Sequence, residues 1–295
     1  MRLAALVPLV ACGNSAQPAQ PVAQPVVVST PRDASAVASA GSVDALATVS
    51  YPDLATALTA TIPADARVIG FGELHARTDR AAVRTTLARF TSDGLPAIRA
   101  KLSDLVIETW LIDKGCEQTA TTASAQIDTE MKHPVATKND IAALADAARA
   151  AGIQPHAMRV TCADYAKIAP PGKAMDVPAM LTLTTSELGR IASEAVVHRD
   201  REPDHKPWIA LYGGALHNDR FPADGVADWS YAATVDQITH DHFVEIDLIV
   251  PELADHDDAL SKQPWYALLD RPATTLRVWK RGKRSFVIVF PRSNA

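Results

Sequence analysis

The chain of 295 residues is 47% hydrophobic and 21% charged, a globular composition able to bury a substantial core in one large domain or two small ones. Its net charge of -5 and its scattered lysines and arginines provide no basic face, which argues against nucleic acid as a partner. No apolar run is long enough to cross a bilayer, so any membrane attachment would be through a lipid.

The first 12 residues are typical of an export signal. Arg2 precedes a short apolar run and small residues that end at Cys12. Residues 9–12, Leu-Val-Ala-Cys, resemble the lipobox of bacterial lipoproteins, whose cysteine becomes the lipidated first residue. We therefore expect a lipoprotein-type signal peptide over residues 1–12, lipidation of Cys12, and a location in the bacterial cell envelope, at the outer membrane or the periplasmic face. The alternatives are a chance match or a mis-assigned start.

Residues 13–50 are rich in alanine, proline, valine, glutamine and serine, which is typical of a disordered tether. Residues 51–295 have the composition and periodicity of a single domain, which opens with a short helix after Tyr51. The remaining cysteines, Cys116 and Cys162, form an even pair that could be a disulfide in an oxidising compartment. Two unpaired thiols are the alternative.

The first strand predicted in this domain, residues 67–71, is followed by Gly72, Glu73 and His75. A helical spacing of apolar residues over 80–90, closed by Gly94, indicates a helix after the turn. Residues 104–110 form a second apolar strand with Glu108 near its carboxyl end.

The rest of the chain continues the alternation. A loop with a short helix over 119–135 and an alanine-rich helix over 139–151 lead to a strand at 154–160. After a helix over 186–198, the apolar residues 208–212 are followed by two glycines and His217, which repeats the first strand's ending. A strand over 243–250, a helix ending near Leu260 and a hairpin of 276–280 with 285–290 complete the prediction.

These elements predict an α/β fold with a central mixed, mostly parallel sheet flanked by helices and a C-terminal β-hairpin at one edge. Ligands bind beyond the carboxyl ends of parallel strands, where Glu73, His75, Glu108 and His217 all lie. Two imidazoles with one or two carboxylates suit zinc, manganese or cobalt, and Glu73 or Glu108 could instead act as general base on a water.

Structural roles for the same residues remain open. Glu73 and His75 could belong to a capped, solvated turn, and His217 could be an ordered loop histidine. A buried Glu108 needs a partner, and a salt bridge to Arg80 or Arg84 would supply one.

Gly72-Glu73-Leu74-His75, Val106-Ile107-Glu108 and Gly213-Gly214-Ala215-Leu216-His217 resemble the paired motifs of the haem-uptake and Tiki superfamily. That superfamily includes ChaN-like haem-binding lipoproteins, TraB/Tiki-type metalloproteases and erythromycin-esterase-like enzymes, and the resemblance spans roughly residues 67–250 in element order.

The resemblance implies site roles for Glu73, His75, Glu108 and His217. It also implies an arginine on the first helix, as in esterase members, for which Arg80 and Arg84 are the candidates. The chain departs from esterase members at Ala76, where they have glycine. It also has no second histidine close behind His75, which weakens the match to haem coordination.

We therefore expect an exported, lipid-anchored hydrolase that cleaves an ester or peptide bond in a small-molecule or peptide substrate, with metal assistance or without it. A haem- or iron-binding lipoprotein of the ChaN type is the competing hypothesis, and an inactive scaffold is the third.

Overall fold

Eight strands form one twisted sheet in the computed structural model, which describes residues 46–80, 82–202, 204, 206–270 and 273–293. The sheet order is β1-β7-β8-β6-β2-β5-β3-β4. In chain order the strands are β1 (Thr48–Tyr51), β2 (Val68–Glu73), β3 (Leu102–Ile112), β4 (Gln154–Val160), β5 (Trp208–Gly214), β6 (Phe243–Ile249), β7 (Leu276–Gly282) and β8 (Ser285–Val289).

Six neighbouring strands, from β8 to β4, run parallel, whereas β1, β7 and β8 pair antiparallel. The α/β class and the mixed, mostly parallel sheet are therefore confirmed. The helices that flank it are α1 (Leu54–Thr61), α2 (Thr86–Arg89), α3 (Leu95–Ile98), α4 (Glu117–Glu130), α5 (Ala136–Ala150), α6 (Cys162–Ile168), α7 (Val177–Asp200), α8 (Ala232–Ile238) and α9 (Pro251–Ala254), and a π-helical turn, Phe90–Gly94, joins α2 to α3.

The centre of the sheet is apolar on both faces, because helices cover both sides of it. Ile69 and Phe71 pack into the cluster beneath α1, α3 and α5, whereas Val68 and Leu211 pack against α7 and α8. Strand β2 lies between β6 and β5, and Glu73 is level with Gly214 of β5. The carboxyl ends of the central strands therefore meet at one edge.

Two predicted boundaries differ from the structure. β1 pairs with β7 outside the C-terminal hairpin, so the hairpin is not the outermost element, and the predicted tether over 13–50 overlaps β1 at its end. β1 has only four residues, of which Val49 and Ser50 are exposed and Thr48 and Tyr51 are half-buried, so it shows little periodicity, and its pairing with β7 is set by the fold.

The helix predicted over residues 80–90, α2, also begins later than predicted. It starts at Thr86, where the hydroxyl of Thr85 accepts the Ala88 N–H at 3.0 Å, instead of near residue 80. Upstream of the helix, Arg80 pairs with Asp257 at 2.8 Å, and Asp79 pairs with Lys132 at 2.7 Å. These ion pairs hold the preceding residues in a turn. The stretch predicted as a loop with a short helix contains the 14-residue helix α4.

The predicted signal peptide, Cys12 and almost all of the predicted tether lie outside the described residues. Across the part of the chain that is described, no helix is both long and apolar enough to cross a membrane.

A disulfide joins Cys116 to Cys162, with Cα atoms 5.2 Å apart. Cys116 is the N-cap residue that immediately precedes α4, and Cys162 is the first residue of α6. The bond therefore ties together two helices that are separated by α5 and β4 along the chain.

Replacing both cysteines by serine should lower the free energy of unfolding by about 2–4 kcal/mol, because the bond closes a long loop in the unfolded chain. The loop spans a sequence separation of 46 residues. Urea unfolding of the wild type and of Cys116→Ser/Cys162→Ser measures the loss. Reductant should destabilise the wild type and leave the double variant unchanged; equal sensitivity of the two proteins would contradict the assignment.

Candidate functional site

The structure brings Glu73, His75, Glu108 and His217 together at the carboxyl ends of β2, β3 and β5. Glu73 is the last residue of β2, and His75 follows it in the loop. Glu108 lies where the pairing of β3 with β4 shifts register between Ile107 and Trp110. Such irregularities re-aim side chains and are common beside active sites.

Gly213 and Gly214 make room for the approach of Glu108 and His75. A Cβ atom on Gly213 would lie 2.4 Å from Oε2 of Glu108, and one on Gly214 would lie 3.0 Å from Nε2 of His75. Glu108 therefore leaves no room for a side chain at Gly213, and a side chain at Gly214 would require the His75 ring to shift. The side chains of Glu108 and His75 therefore pack directly against the backbone of these paired glycines.

The His75 ring is held by Glu73, and Glu73 is held in turn by Tyr212. Nδ1 of His75 donates to Oε1 of Glu73 at 2.9 Å, and the hydroxyl of Tyr212 donates to Oε2 of Glu73 at 2.6 Å. Glu73 is buried, whereas the His75 side chain is 34% exposed. The carboxylate therefore sets the Nδ1–H tautomer and leaves Nε2 facing Glu108.

The His217 ring is also held through its Nδ1 atom, in this case by uncharged partners. The hydroxyl of Thr185 donates to the backbone carbonyl of Trp229 at 2.8 Å, so its oxygen is free to accept from Nδ1 of His217 at 2.7 Å. The same carbonyl lies 3.1 Å from Nδ1. Both neighbours accept, so Nδ1 of this buried histidine carries the proton and Nε2 faces Glu108.

Glu108 is the point at which the two rings converge. Its Oε1 lies 3.7 Å from Nε2 of His75 and 3.6 Å from Nε2 of His217. Its Oε2 accepts the backbone N–H of Gly214 at 2.6 Å. One carboxylate oxygen is therefore anchored to the sheet and the other is shared by two imidazoles.

Charge is concentrated on Glu108 and His75. Burial raises the pKa of Glu108, but the His217 and His75 rings and the Gly214 N–H outweigh it and hold that pKa well below its usual range. Burial lowers the pKa of His75, but the carboxylates of Glu108 and Glu73 more than offset it, so the pKa of His75 lies well above 6.5. At neutral pH an ionised Glu108 faces a cationic His75.

The four residues line a cleft of about 1000 Å³. A cleft of this size accommodates a drug-sized ligand, and such sites combine an apolar lining with a few polar groups. On one side it extends along β3 and helices α4 and α7, and on the other it reaches the turn after β6. Reactive groups and room for a substrate therefore occur in the same place.

Three residues that neighbour the site carry no functional signal in the sequence. Tyr212 lies in an apolar strand and Thr185 lies in a long helix, so neither had a local signal. His133 lies at the end of the polar stretch 119–135, which gave it no functional signal, yet its ring centroid is 6.0 Å from that of His75 and it lines the cleft. Burial and the positive charge of His75 lower the pKa of His133, which favours its neutral form.

Several predicted partners are engaged elsewhere. Arg80 lines the cleft but pairs with Asp257, and Arg84 pairs with Asp93 at 3.5 Å, so the predicted alternative of a salt bridge from Glu108 to either arginine is not found. His156 of β4 lies 2.9 Å from a carboxylate oxygen of Asp104, which supports a structural role for this histidine.

The donor types suit a transition metal, but their arrangement does not form a ready metal site. Nitrogen and oxygen ligands about 2.0–2.1 Å from a tetrahedral zinc lie about 3.3–3.4 Å apart, slightly less than the separations here. No cluster of three or more histidine, cysteine or acidic side chains able to hold a metal ion is found among the described residues. Metal ligation by His75, His217, Glu73 and Glu108, and haem as the alternative cofactor, stay predictions.

In chelator-treated protein, Glu108→Gln should lower the pKa of His75, because Glu108 is the strongest influence that raises it. A raised folded-state pKa stabilises the fold below the unfolded value of about 6.5, and this contribution is lost as pH rises through the folded-state pKa. Over that range the wild type should lose more stability than the variant. NMR titration of the ring and urea unfolding at several pH values measure both effects.

The matched control is Glu187→Gln, which removes a carboxylate paired with Arg190 on the outside of α7. It should leave the titration of His75 unchanged. A His75 titration that is the same in the wild type and in Glu108→Gln would show that the two groups do not interact as described.

No protein-family model matches the chain, and no curated protein matches it. Among solved structures the chain is similar to one described as the structure of the type III effector HopBA1, with a TM-score of 0.41 and 13% sequence identity. The match covers 77% of this chain and 88% of that chain. A similarity of this size carries no information about the chemistry of the site described above.

Proposed function

We propose that the chain is a hydrolase of ester or amide bonds whose reactive centre is Glu108 with His75 and His217. One observation carries the proposal: two imidazole Nε2 atoms face the same carboxylate oxygen at 3.6 and 3.7 Å, and each ring is held from behind through Nδ1. These separations are only slightly longer than a hydrogen bond, so the three groups are close enough for one water or substrate oxygen on the cleft side to contact all of them.

The charges assign the roles. His217 accepts a proton from the water as its oxygen attacks the carbonyl carbon, and Glu108 stabilises the resulting imidazolium. Cationic His75 donates its Nε2 proton to the leaving oxygen or nitrogen. The proton on His217 is then lost to water in the cleft, and His75 takes up a proton from water, which restores both rings. Glu73 and Tyr212 position His75 and do not touch the substrate.

His217→Ala and Glu108→Gln should each lower kcat by roughly 10²–10⁴-fold, the usual contribution of acid–base groups. Tyr212→Phe should lower it less, because it weakens only the positioning of His75. The assay follows release of p-nitrophenol from acetyl and butyryl esters, and of aminocoumarin from the matching amides, by purified full-length chain.

His242→Ala is the control, since His242 binds the carbonyl of Asp65 at the opposite edge of the sheet. It should retain wild-type rates. If His217→Ala, Glu108→Gln and Tyr212→Phe hydrolyse the substrates as fast as the control His242→Ala, the hydrolase proposal is wrong. Elemental analysis and an absorption spectrum of the same preparation decide the cofactor: stoichiometric divalent metal lost in His217→Ala favours the metal-assisted form, whereas a Soret band lost in His75→Ala favours the haem-binding alternative.

We also propose that the chain is exported and anchored through a lipid on Cys12. The lipobox-like sequence before that cysteine is one support, and the Cys116–Cys162 disulfide is another, because such bonds persist in oxidising compartments outside the cytosol. The substrate would then be met in the cell envelope.

Expression in a bacterium supplied with radiolabelled palmitate should label the wild-type chain and leave Cys12→Ser unlabelled. The label should partition with the membrane fraction, since acyl chains bind membranes through burial of their methylene groups. Cys162→Ser serves as the matched cysteine control and should remain labelled. Equal labelling of wild type and Cys12→Ser would contradict lipidation at this residue.

A further inference from the structure

The cleft has an apolar arm formed by Trp110, Ile127, Met131, Met180 and Leu181. Ile127 and Met180 form a small separate core cluster with Ile168, the other three side chains pack against it, and all five residues of the arm line the cleft. The arm lies between β3, α4 and α7. It is distinct from the main core beneath the sheet, which is packed around β2.

Three connections join this arm to the reactive groups. Trp110 follows Glu108 by two residues on β3. Met131 precedes His133, whose ring lies 6.0 Å from that of His75. Helix α7 carries both Met180 of the arm and Thr185, which anchors His217. A substrate group in the arm is therefore continuous with the reacting atoms.

The charges at the edge of the arm cancel. Lys138 pairs with Asp128 at 2.7 Å, and both residues line the cleft. The five side chains of the arm offer no strong hydrogen-bonding group beyond the indole N–H of Trp110. A peptide here would find few partners for its N–H and C=O groups beyond the hydroxyls of Thr121, Ser124 and Thr184, which also line the cleft from α4 and α7, whereas an alkyl chain requires none.

We propose that the arm binds the acyl chain of a medium-chain ester, so that the hydrolase acts on acyl esters whose carbonyl lies at Glu108, His75 and His217. The inference rests on the proposed function. Two methionines in the lining support it, because unbranched, polarizable side chains adapt to a flexible chain. The Cys116–Cys162 bond holds the start of α4 and so stabilises one wall of the arm.

The mouth of the arm offers a matched pair of variants. Ile112 lines the cleft and is 48% exposed, whereas its neighbour Leu111 is 51% exposed and points to the other face of β3. Ile112→Glu and Leu111→Glu should each cost little stability because both positions are exposed, but only Ile112→Glu would meet the acyl chain. Leu181→Glu places a charge in the arm from α7 and is a second, independent variant.

The experiment measures kcat/KM of the full-length chain for p-nitrophenyl esters from acetyl to decanoyl. The value should rise by roughly tenfold for every two methylene groups until the arm is filled. Ile112→Glu and Leu181→Glu should reduce the preference for decanoyl over acetyl by at least tenfold, and Leu111→Glu should leave it unchanged. Activity that is independent of chain length, with all three variants equal to the wild type, would overturn the inference and leave the hydrolase proposal standing.

Calorimetric binding of the N-methyl amides of acetic, hexanoic and decanoic acid separates the inference from the proposed function. Affinity that rises with chain length and falls in Ile112→Glu supports an acyl-binding arm even if no ester is hydrolysed, in which case only the hydrolase proposal fails. Affinity that is the same for all three amides, or the same in the wild type and Ile112→Glu, overturns the arm.

Discussion

The arrangement of the site depends on one largely buried carboxylate, that of Glu108. Its Oε2 is tied to the backbone of β5 through Gly214, and its Oε1 faces the Nε2 atoms of both His75 and His217. An ionised carboxylate out of water needs compensating partners, and here the Gly214 N–H and cationic His75 provide them. The same interactions keep Glu108 ionised and His75 cationic, so the electrostatics that make the site stable also supply its acid and its base.

The sheet makes this convergence possible. Glu73 and Gly214 are level on neighbouring parallel strands, so the loop after β2 and the turn after β5 leave the sheet side by side. The irregularity in β3 turns Glu108 toward them, and β5 has no side chain at Gly213 to stop it. Behind the rings, Glu73 of β2 holds Nδ1 of His75, and Thr185 of α7 holds Nδ1 of His217. The reactive atoms are thus fixed by strands and helices rather than by loops alone.

The sequence was sufficient for the parts of this arrangement that have a local signal. The apolar runs that end in glycine predicted β2 and β5, and the rule for parallel strands predicted that Glu73, His75, Glu108 and His217 would meet. It could not predict Tyr212 or Thr185, which lie 139 residues from Glu73 and 32 residues from His217. Those pairings exist only in the folded chain. The short β1 and the delayed start of α2 depend likewise on a partner strand and on ion pairs to Lys132 and Asp257.

The central claim is that both rings present Nε2 to Glu108 because their Nδ1 atoms are protonated and held from behind. Nitrogen-15 NMR of the histidine rings, recorded in chelator-treated protein under conditions in which the rings are neutral, reports the tautomer directly. The account predicts that His75 and His217 are both Nδ1–H tautomers, and that only His75 changes in Tyr212→Phe. An Nε2–H tautomer for either ring in the wild type would contradict the account.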